Sequence, residues 1–531
     1  MLDAMREFVL VEDADVRTPG GSFPHLADSR FSLVSGGPSR RLRRTWVDTF
    51  DWRLFRAGLS LELSAGRSGS ELVLTGRDGE VVAVEPVSEP IRWPSLIDAL
   101  PVGPLGERLA PVVGVRALLP VARATSVLTQ RRALNTDEKT IAVLTIDQMT
   151  LTQPRRAPAQ PRVAISPLRG YQAQAARLAE VLELAPGVAP AVHSVFESAL
   201  EAAGRRPGDY TGKLDVQLTG DMPAALAVAT VLTRLLDTMH ANVPGTTRDI
   251  DTEFLHDLRI AVRRTRAALK LAGTALPGDL AARYAPEFRW LGQLTTPTRD
   301  LDVHLLGFSA TAARLVTAAP EDLAPLHDSL LRYREAEQRR LARGLRSARF
   351  TCLARDWRAA LHEMAAPRAG APRRRGAAAQ APIAGLAAGW VRRAYRRLAK
   401  AGAAITAASA EDELHMVRKR GKELRYLLEF FAALHEPVTH RSAVKELKQL
   451  QDCLGDIQDG HVQREAIRTL AARMVDEQAA PAATLLAMGE LAALLDASAS
   501  KARNDFGRRF ARFTSGSNTR YATALGKVAV A

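Results

Sequence analysis

The chain has 531 residues, 47% apolar and 25% charged, and its 73 Lys+Arg against 58 Asp+Glu leave a net charge of +15. Such a composition can bury a sizeable core, and it excludes a disordered chain, a collagen and a disulfide scaffold. At roughly 100–200 residues per domain, the length predicts two to four domains.

Residues 1–200 read as strands broken by turns. Arg6–Val11, Leu59–Leu63, Glu71–Thr75, Val82–Val84 and Thr140–Ile146 are rich in β-branched residues and punctuated by Gly and Asp. Patches near Trp93–Leu100 and Gln172–Leu184 read as helical, which makes this region α+β. Gly204–Gly212 reads as a linker. From Met222 to about Phe513 the periodicity is helical, and Pro223 suits a first helical turn. A Pro-, Gly- and Arg-rich break at Ala365–Pro382 divides this helical part into two segments of similar length. The expected organisation is a domain over 1–205, a linker over 206–220 and a helical domain over 221–513. Its halves are 221–364 and 383–513, around a hinge at 365–382.

Charge follows the same division. Residues 1–250 hold 28 Lys+Arg and 28 Asp+Glu, whereas residues 251–531 hold 45 and 30, so the whole excess lies in the second half. A basic half-chain suits a polyanionic partner: nucleic acid, an acidic membrane surface or polyphosphate. Cys352 and Cys453 alone can neither complete a zinc site nor staple a secreted fold, which points to a reducing cytoplasm with both thiols in the core. No uncharged apolar run of about 18 residues occurs, and acids come early (Asp3, Glu7, Glu12, Asp13). Neither a membrane span nor a signal peptide is expected.

The two helical segments repeat each other. His256, Arg259, Arg263 and Arg266 recur as His415, Arg418, Lys422 and Arg425, always 159 residues on. The same offset sets Arg289 on Lys448, Leu291 on Leu450, Asp300 on Asp459 and Val303 on Val462, without a gap. A duplicated helical unit follows, packed about a pseudo-two-fold axis.

At about 100° per residue, the four positions of the motif fall within an arc of about 80° on one helix face. Lys270 extends the first copy by one turn. Beside the cations runs an apolar stripe: Leu255, Leu258, Val262, Thr265 and Leu269 in one copy, Leu414, Val417, Gly421, Leu424 and Leu428 in the other. The apolar stripe should pack inside each bundle and the cationic stripe should emerge at its edge. Like charges so spaced repel by roughly a few tenths of a kcal/mol per pair. Two copies of that arrangement look like a site for an extended anion. Flanking runs add Arg340, Arg396 and Arg397 as candidate lining residues.

The His-x2-Arg-x3-[Arg/Lys]-x2-Arg helix and its duplication resemble a CHAD domain, the conserved histidine α-helical domain. Arg-Asp-Leu-Asp-Val at 299–303 and Leu-Gly-Asp-Ile-Gln-Asp at 454–459 support this resemblance. It covers about residues 221–513. It implies an all-α domain of two pseudo-symmetric four-helix bundles around a basic cavity that binds inorganic polyphosphate, in the cytoplasm on polyphosphate granules. Carried over by position, the polyphosphate ligands would be His256, Arg259, Arg263, Arg266, His415, Arg418, Lys422 and Arg425, with Arg289 and Lys448 beside them; Lys270 joins the candidates by its spacing on the same face.

The first 200 residues resemble, more weakly, a CYTH domain of the triphosphate tunnel fold. The resemblance rests on Val47-Asp48-Thr49-Phe50-Asp51-Trp52-Arg53-Leu54 and Gly58-Leu59-Ser60-Leu61, with Arg131, Arg132 and Asp147 further on. That family's Glu-x-Glu-x-Lys is not intact: Glu7-Phe8-Val9-Leu10-Val11 lacks the second carboxylate and the lysine. The expected Arg of its Leu-Arg-x-Arg strand is replaced in Leu61-Glu62-Leu63-Ser64. Metal-assisted phosphohydrolysis needs carboxylates for Mg²⁺ or Mn²⁺ and cations for the phosphates. The expectation is a degenerate β tunnel without catalysis, and a chain with no cofactor.

Two other functions stand beside polyphosphate binding. Nucleic-acid binding is allowed by phosphate contacts alone. However, aromatics make up only 5% of the chain and few interleave with the basic stripes. Triphosphate hydrolysis by the N-terminal domain, or metal chemistry at His256, His415, Asp300 and Asp459, would make the chain an enzyme. Against the latter, those aspartates suit helix caps or partners for arginine.

Overall fold

The computed structural model describes residues 6–10, 30–366 and 377–515. Val11, the early acids Asp3, Glu12 and Asp13, and residues 367–376 of the predicted hinge lie outside the described residues. The chain forms two compact units, Met1–Thr211 and Gly212–Ala531.

The first unit is built on an antiparallel sheet. Its strands are β1 (Arg6–Leu10), β2 (Ser32–Ser35), β3 (Arg40–Thr49), β4 (Leu59–Gly66), β5 (Gly69–Gly76), β6 (Val81–Val87), β7 (Leu118–Leu134), β8 (Thr140–Gln153), β9 (Ala157–Pro158), β10 (Arg162–Pro167) and β11 (Val188–Pro190). The main path runs β11-β1-β10-β8-β7-β3-β4-β5-β6, with β2 paired to β7 and β9 to β8. Four helices accompany it: α1 (Arg53–Arg56), α2 (Pro104–Val113), α3 (Gln172–Glu183) and α4 (Val195–Ala203). The five predicted strands and the helix at Gln172 are present. The helix expected over Trp93–Leu100 is not: only a 3-10 turn at Ile97–Ala99 occurs there, and the helix starts at Pro104 instead. Pro94 disfavours helix at the residue before it, and Ser95 bridges to Leu118 of β7.

Asp48 organises the turn after β3. Its buried carboxylate accepts backbone N–H bonds from Thr49, Leu54 and Phe55. Burial pushes this acid up to about 6 against those bonds.

The second unit is helical. Its helices are α5 (Ala224–Arg248), α6 (Thr252–Leu271), α7 (Leu280–Leu306), α8 (Phe308–Ala312), α9 (Ala324–Leu345), α10 (Ala348–Ala365), α11 (Ala377–Gln380), α12 (Ile383–Ala403), α13 (Glu411–Phe430), α14 (Pro437–Asp476) and α15 (Ala482–Phe513). The duplication is visible in the element boundaries. The starts of α5 and α12 are 159 residues apart, and so are both ends of α6 and α13. The 3-10 turns at Gly273–Ala275 and Ala432–Leu434 keep that offset too. One bundle is α5, α6, α7 and α9, which α10 continues; the other is α12, α13, α14 and α15. Between α9 and α10 Ser347 leaves the helical conformation, and its hydroxyl caps the Phe350 N–H.

All ten residues of the two predicted apolar stripes are buried. One cluster of side chains runs through both bundles, from Val228 and Leu258 to Leu424 and Leu450. A second joins α9 to α14 and α15 through Leu326, Leu330, Ile467, Met488 and Leu491. Cys453 is buried, but Cys352 is exposed on α10, so only one of the two thiols lies in the core as expected. The helix α15 is long and apolar enough to cross a membrane by length and composition. In this fold its Glu490 accepts N–H bonds from Val316, Thr317 and Ala318, and Asp496 pairs with Arg464.

Candidate functional site

Asp251 starts α6 by accepting the N–H groups of Glu253 and Phe254, at 2.9 and 3.2 Å. The helix then buries Leu255, Leu258, Val262, Thr265 and Leu269. That burial fixes its rotation and turns Arg259 and Arg266 toward α7. Arg259 donates to the hydroxyls of Thr295 and Thr296, at 3.1 and 2.8 Å. Arg266 lies against Gly292: a Cβ there would stand 3.1 Å from its guanidinium. His256 is half-buried on the same face.

The second copy repeats this placement with different partners. Arg418 pairs with Asp459 of α14 at 3.0 Å, and His415 Nδ1 lies 2.8 Å from Gln458 Oε1. Gly455 leaves room beside Arg418. Asp300, one offset before Asp459, acts on Arg259 through its charge while its own acidity is weakened by burial. Asp459 therefore serves an arginine. Among the described residues no group of three His, Cys, Asp or Glu side chains is placed to hold a metal ion.

The two faces meet. Arg263 of α6 and Lys422 of α13 occupy equivalent positions of the duplication, and the charge of Arg263 acts on Lys422. A residue that interacts with its own duplicate lies near the pseudo-two-fold axis. Burial first, then Arg418, Arg263 and Arg425, push Lys422 down to about 8. Arg263, Arg266 and Lys422 have no ion-pair or hydrogen-bond partner among the described residues. Arg289 shares a face of α7 with Gly292 and Thr296 by spacing, and Lys448 shares one of α14 with Gln451 and Gly455. Both are exposed.

Flanking ion pairs clamp the two copies. Glu429 accepts from Arg264 at 2.7 Å and Glu423 from Lys270 at 2.5 Å. By the offset, Arg264 corresponds to Glu423 and Lys270 to Glu429, so the two bridges are one contact made twice. Lys270, a candidate ligand by its spacing, is thus engaged in the contact between copies. Arg425 faces Glu429 at 3.4 Å. Arg340 is exposed on α9 beside Glu337, at 3.6 Å, and Arg396 and Arg397 are exposed on α12. No described contact joins these three to the central face. Gly292, Thr295 and Thr296 escaped the sequence reading because neutral residues carry no charge pattern, and their equivalents Gln451, Leu454 and Gly455 are of other types.

The first unit holds a different charge cluster. Arg44 of β3 grips Glu62 of β4 through two bonds, at 2.6 and 2.7 Å, and reaches Asp147 of β8 at 2.9 Å. Arg162 of β10 reaches Glu7 of β1 at 2.5 Å. Glu62 stands where the resemblance expected an arginine, and Arg44 now answers it. Burial weakens the acidity of Asp147, against the pull of Arg44. The residues present do not fit a divalent metal, since Glu7, Glu62 and Asp147 are each bound by arginine.

A family model described as CHAD domain matches residues 230–468. Among solved structures, the CHAD domain from the plant Ricinus communis is similar at 24% identity, covering 56% of this chain and 95% of that one, with a TM-score of 0.48. PptA from Streptomyces chartreusis is similar at 19% identity, covering 54% and 99%, with a TM-score of 0.42. HpAC1 from Hippeastrum, described with a dominant triphosphatase activity, is similar at 13% identity, covering 39% and 99%, with a TM-score of 0.26. No curated protein matches this chain. Residues 230–468, which span the duplicated helices and both cationic faces, are a CHAD domain.

Proposed function

We propose that the helical unit binds inorganic polyphosphate across the paired faces of α6–α7 and α13–α14. The observation that carries this reading is that Arg263 and Lys422, equivalent cations on the packed helices α6 and α13, and a third cation, Arg266, have no ion-pair or hydrogen-bond partner among the described residues. Two cations at a pseudo-two-fold axis repel, and an anion between them removes that cost. A linear phosphate chain presents closely spaced charges, and arginine forks meet its oxygens with charge-assisted, often bidentate bonds. The ligands are His256, Arg259, Arg263, Arg266, Arg289, His415, Arg418, Lys422, Arg425 and Lys448. The protein acts in the cytoplasm, on polyphosphate granules. Residues 221–513 carry the binding, and 206–220 connect them to 1–205.

The N-terminal sheet is a non-catalytic module in this reading. Its carboxylates neutralise Arg44 and Arg162 and are not available to a metal-bridged triphosphate. Two measurements test the proposal. Affinity for long-chain polyphosphate should fall steeply with salt, as counterion release requires, and polyphosphate should outcompete an oligonucleotide. A flat salt response, or oligonucleotide winning, overturns it. The full chain should release no phosphate from tripolyphosphate with Mg²⁺ or Mn²⁺. Turnover that is lost in Glu62→Gln would place the chain among enzymes.

A further inference from the structure

The most one-sided charge in the chain lies elsewhere. Residues 364–410 hold nine Lys+Arg and no Asp or Glu. Residues 205–251, one offset earlier, hold five and six. The duplication thus contains its own control: the same helix exists without this charge.

Within the described residues the run centres on α12. Its apolar side, Ile383, Ala387, Trp390, Val391, Ala394 and Leu398, is buried. Arg392, Arg393, Arg396, Arg397 and Lys400 are all exposed on the other side. Their equivalents on α5 are Thr233, Arg234, Asp237, Thr238 and Ala241. A helix in this position folds and packs with only one cation, so the other four are not needed by the architecture. Arg393, Arg396, Arg397 and Lys400 have no ion-pair or hydrogen-bond partner among the described residues.

This stripe is separate from the central face. Trp390 packs on Phe431, with ring centroids 5.6 Å apart. Phe431 lies about 180° round α13 from Lys422, nine residues at about 100° each. So α12 covers the back of α13, and its outer side is a further helix away. With helices about 8–10 Å apart, the stripe is roughly 20 Å from the central cations.

We propose that the outer face of α12 is a second polyphosphate-binding surface, which makes the chain bivalent for this polyanion. The inference rests on the reading of the central face given above. The rows Arg392–Arg396–Lys400 and Arg393–Arg397 repeat every four residues, about 6 Å along the helix. Four of the five are arginines, suited to phosphate oxygens. No aromatic residue is exposed among them, since Trp390 is buried and Tyr395 packs on Phe513. Base stacking is therefore not provided, which favours polyphosphate over single-stranded nucleic acid. A short chain cannot reach both surfaces, whereas a long one, or two chains, can. Bivalency of this kind cross-links polymers and raises avidity without new contacts.

The test uses the full chain with the fourfold variant Arg393→Ala, Arg396→Ala, Arg397→Ala and Lys400→Ala. Alanine keeps helix propensity, and circular dichroism checks the fold. The threefold variant Arg393→Lys, Arg396→Lys and Arg397→Lys, with Lys400 unchanged, keeps the charge. Calorimetry with short-chain polyphosphate should give two chains per wild-type protein. It should give one for the α12 variant and one for Arg263→Ala/Lys422→Ala. Long-chain polyphosphate should scatter light with the wild type and the lysine variant, and at least tenfold less with the alanine variant. A single chain on the wild type, lost only in the central variant, overturns the α12 surface and leaves the central reading intact. A single chain lost only in the α12 variant overturns the central reading instead. Tighter binding of duplex DNA or anionic vesicles than of polyphosphate, lost in the α12 variant, overturns the partner.

Discussion

The two copies of the helical unit differ in an instructive way. At some equivalent positions both carry the same charge: Arg259 and Arg418, Arg263 and Lys422, Arg266 and Arg425. At others they carry opposite charges: Arg264 and Glu423, Lys270 and Glu429. In a pseudo-symmetric pair, equal charges near the axis cannot satisfy each other, whereas opposite charges form two related bridges. The first class marks a face that wants a ligand. The second marks the contact that holds the copies together. Position in the duplication, more than charge, separates function from architecture here.

The largest effect should come from breaking the equal-charge class. Arg259→Ala, Arg263→Ala, Arg418→Ala and Lys422→Ala together should weaken polyphosphate binding at least 100-fold, roughly 3 kcal/mol by the affinity relation. Helix content should persist. Removing four exposed cations elsewhere, Arg108, Arg355, Arg468 and Arg508, should cost only a few-fold. Equal losses in the two variants would indicate diffuse electrostatics and no defined face. Titration at one fixed salt concentration reads both.

Next comes the opposite-charge class. Glu429→Arg sets a third cation against Arg264 and Arg425 at a part-buried contact, and should destabilise by about 2–3 kcal/mol. The swap Arg264→Glu with Glu429→Arg should recover most of it in a double-mutant cycle. Thermal unfolding measures both, and absence of recovery would show that the bridge does not join the copies.

The duplication and the amphipathic faces of α6 and α13 were legible because both are local patterns: a fixed offset and a 3.6-residue period. The bridge Arg264–Glu429 was not, because its partners are 165 residues apart and neither breaks a pattern. In the sheet, Glu62 was legible as a departure, but its partner Arg44 was not. Cross-strand pairing brings them together, and one strand's sequence does not carry its neighbour's register. The outward position of Arg396 and Arg397 was hidden for a related reason. Apolar spacing fixes which side of α12 is buried but does not name the helix it packs against.

A smaller difference between the copies concerns acid. His435 is buried and stacked on His440, with ring centroids 5.8 Å apart, where the first copy has Leu276 and Ala281. Burial, then the charge of His440, pushes His435 down to about 4. A base depressed by folding holds its proton better when unfolded, so stability is full above about 6.5 and lost as pH falls toward 4. The loss should approach about 2 kcal/mol by pH 5. His435→Leu should remove that dependence, and a melt at pH 5 equal to wild type would refute it.

The smallest predicted effect ties proton and ligand together at Lys422. Around it stand Arg418 and Arg425 on its own helix, Arg263 from α6 and Asp459 from α14. With the ammonium held at about 8, unliganded protein sheds this proton between pH 8 and 10.5 while an unfolded chain keeps it. Stability of the free protein should therefore rise with pH in that window. A bound polyanion favours the ammonium and returns its affinity for the proton toward the ordinary lysine value. Binding should then take up a proton above pH 8, and affinity should drop about tenfold from pH 7 to 9. Lys422→Arg stays charged throughout, so it should bind at pH 7 like wild type and lose the pH dependence. Calorimetry in buffers of different ionisation heat counts the proton directly. An uptake of zero at pH 9 in the wild type, or an unchanged pH profile in the arginine variant, would remove Lys422 from contact with the polyanion.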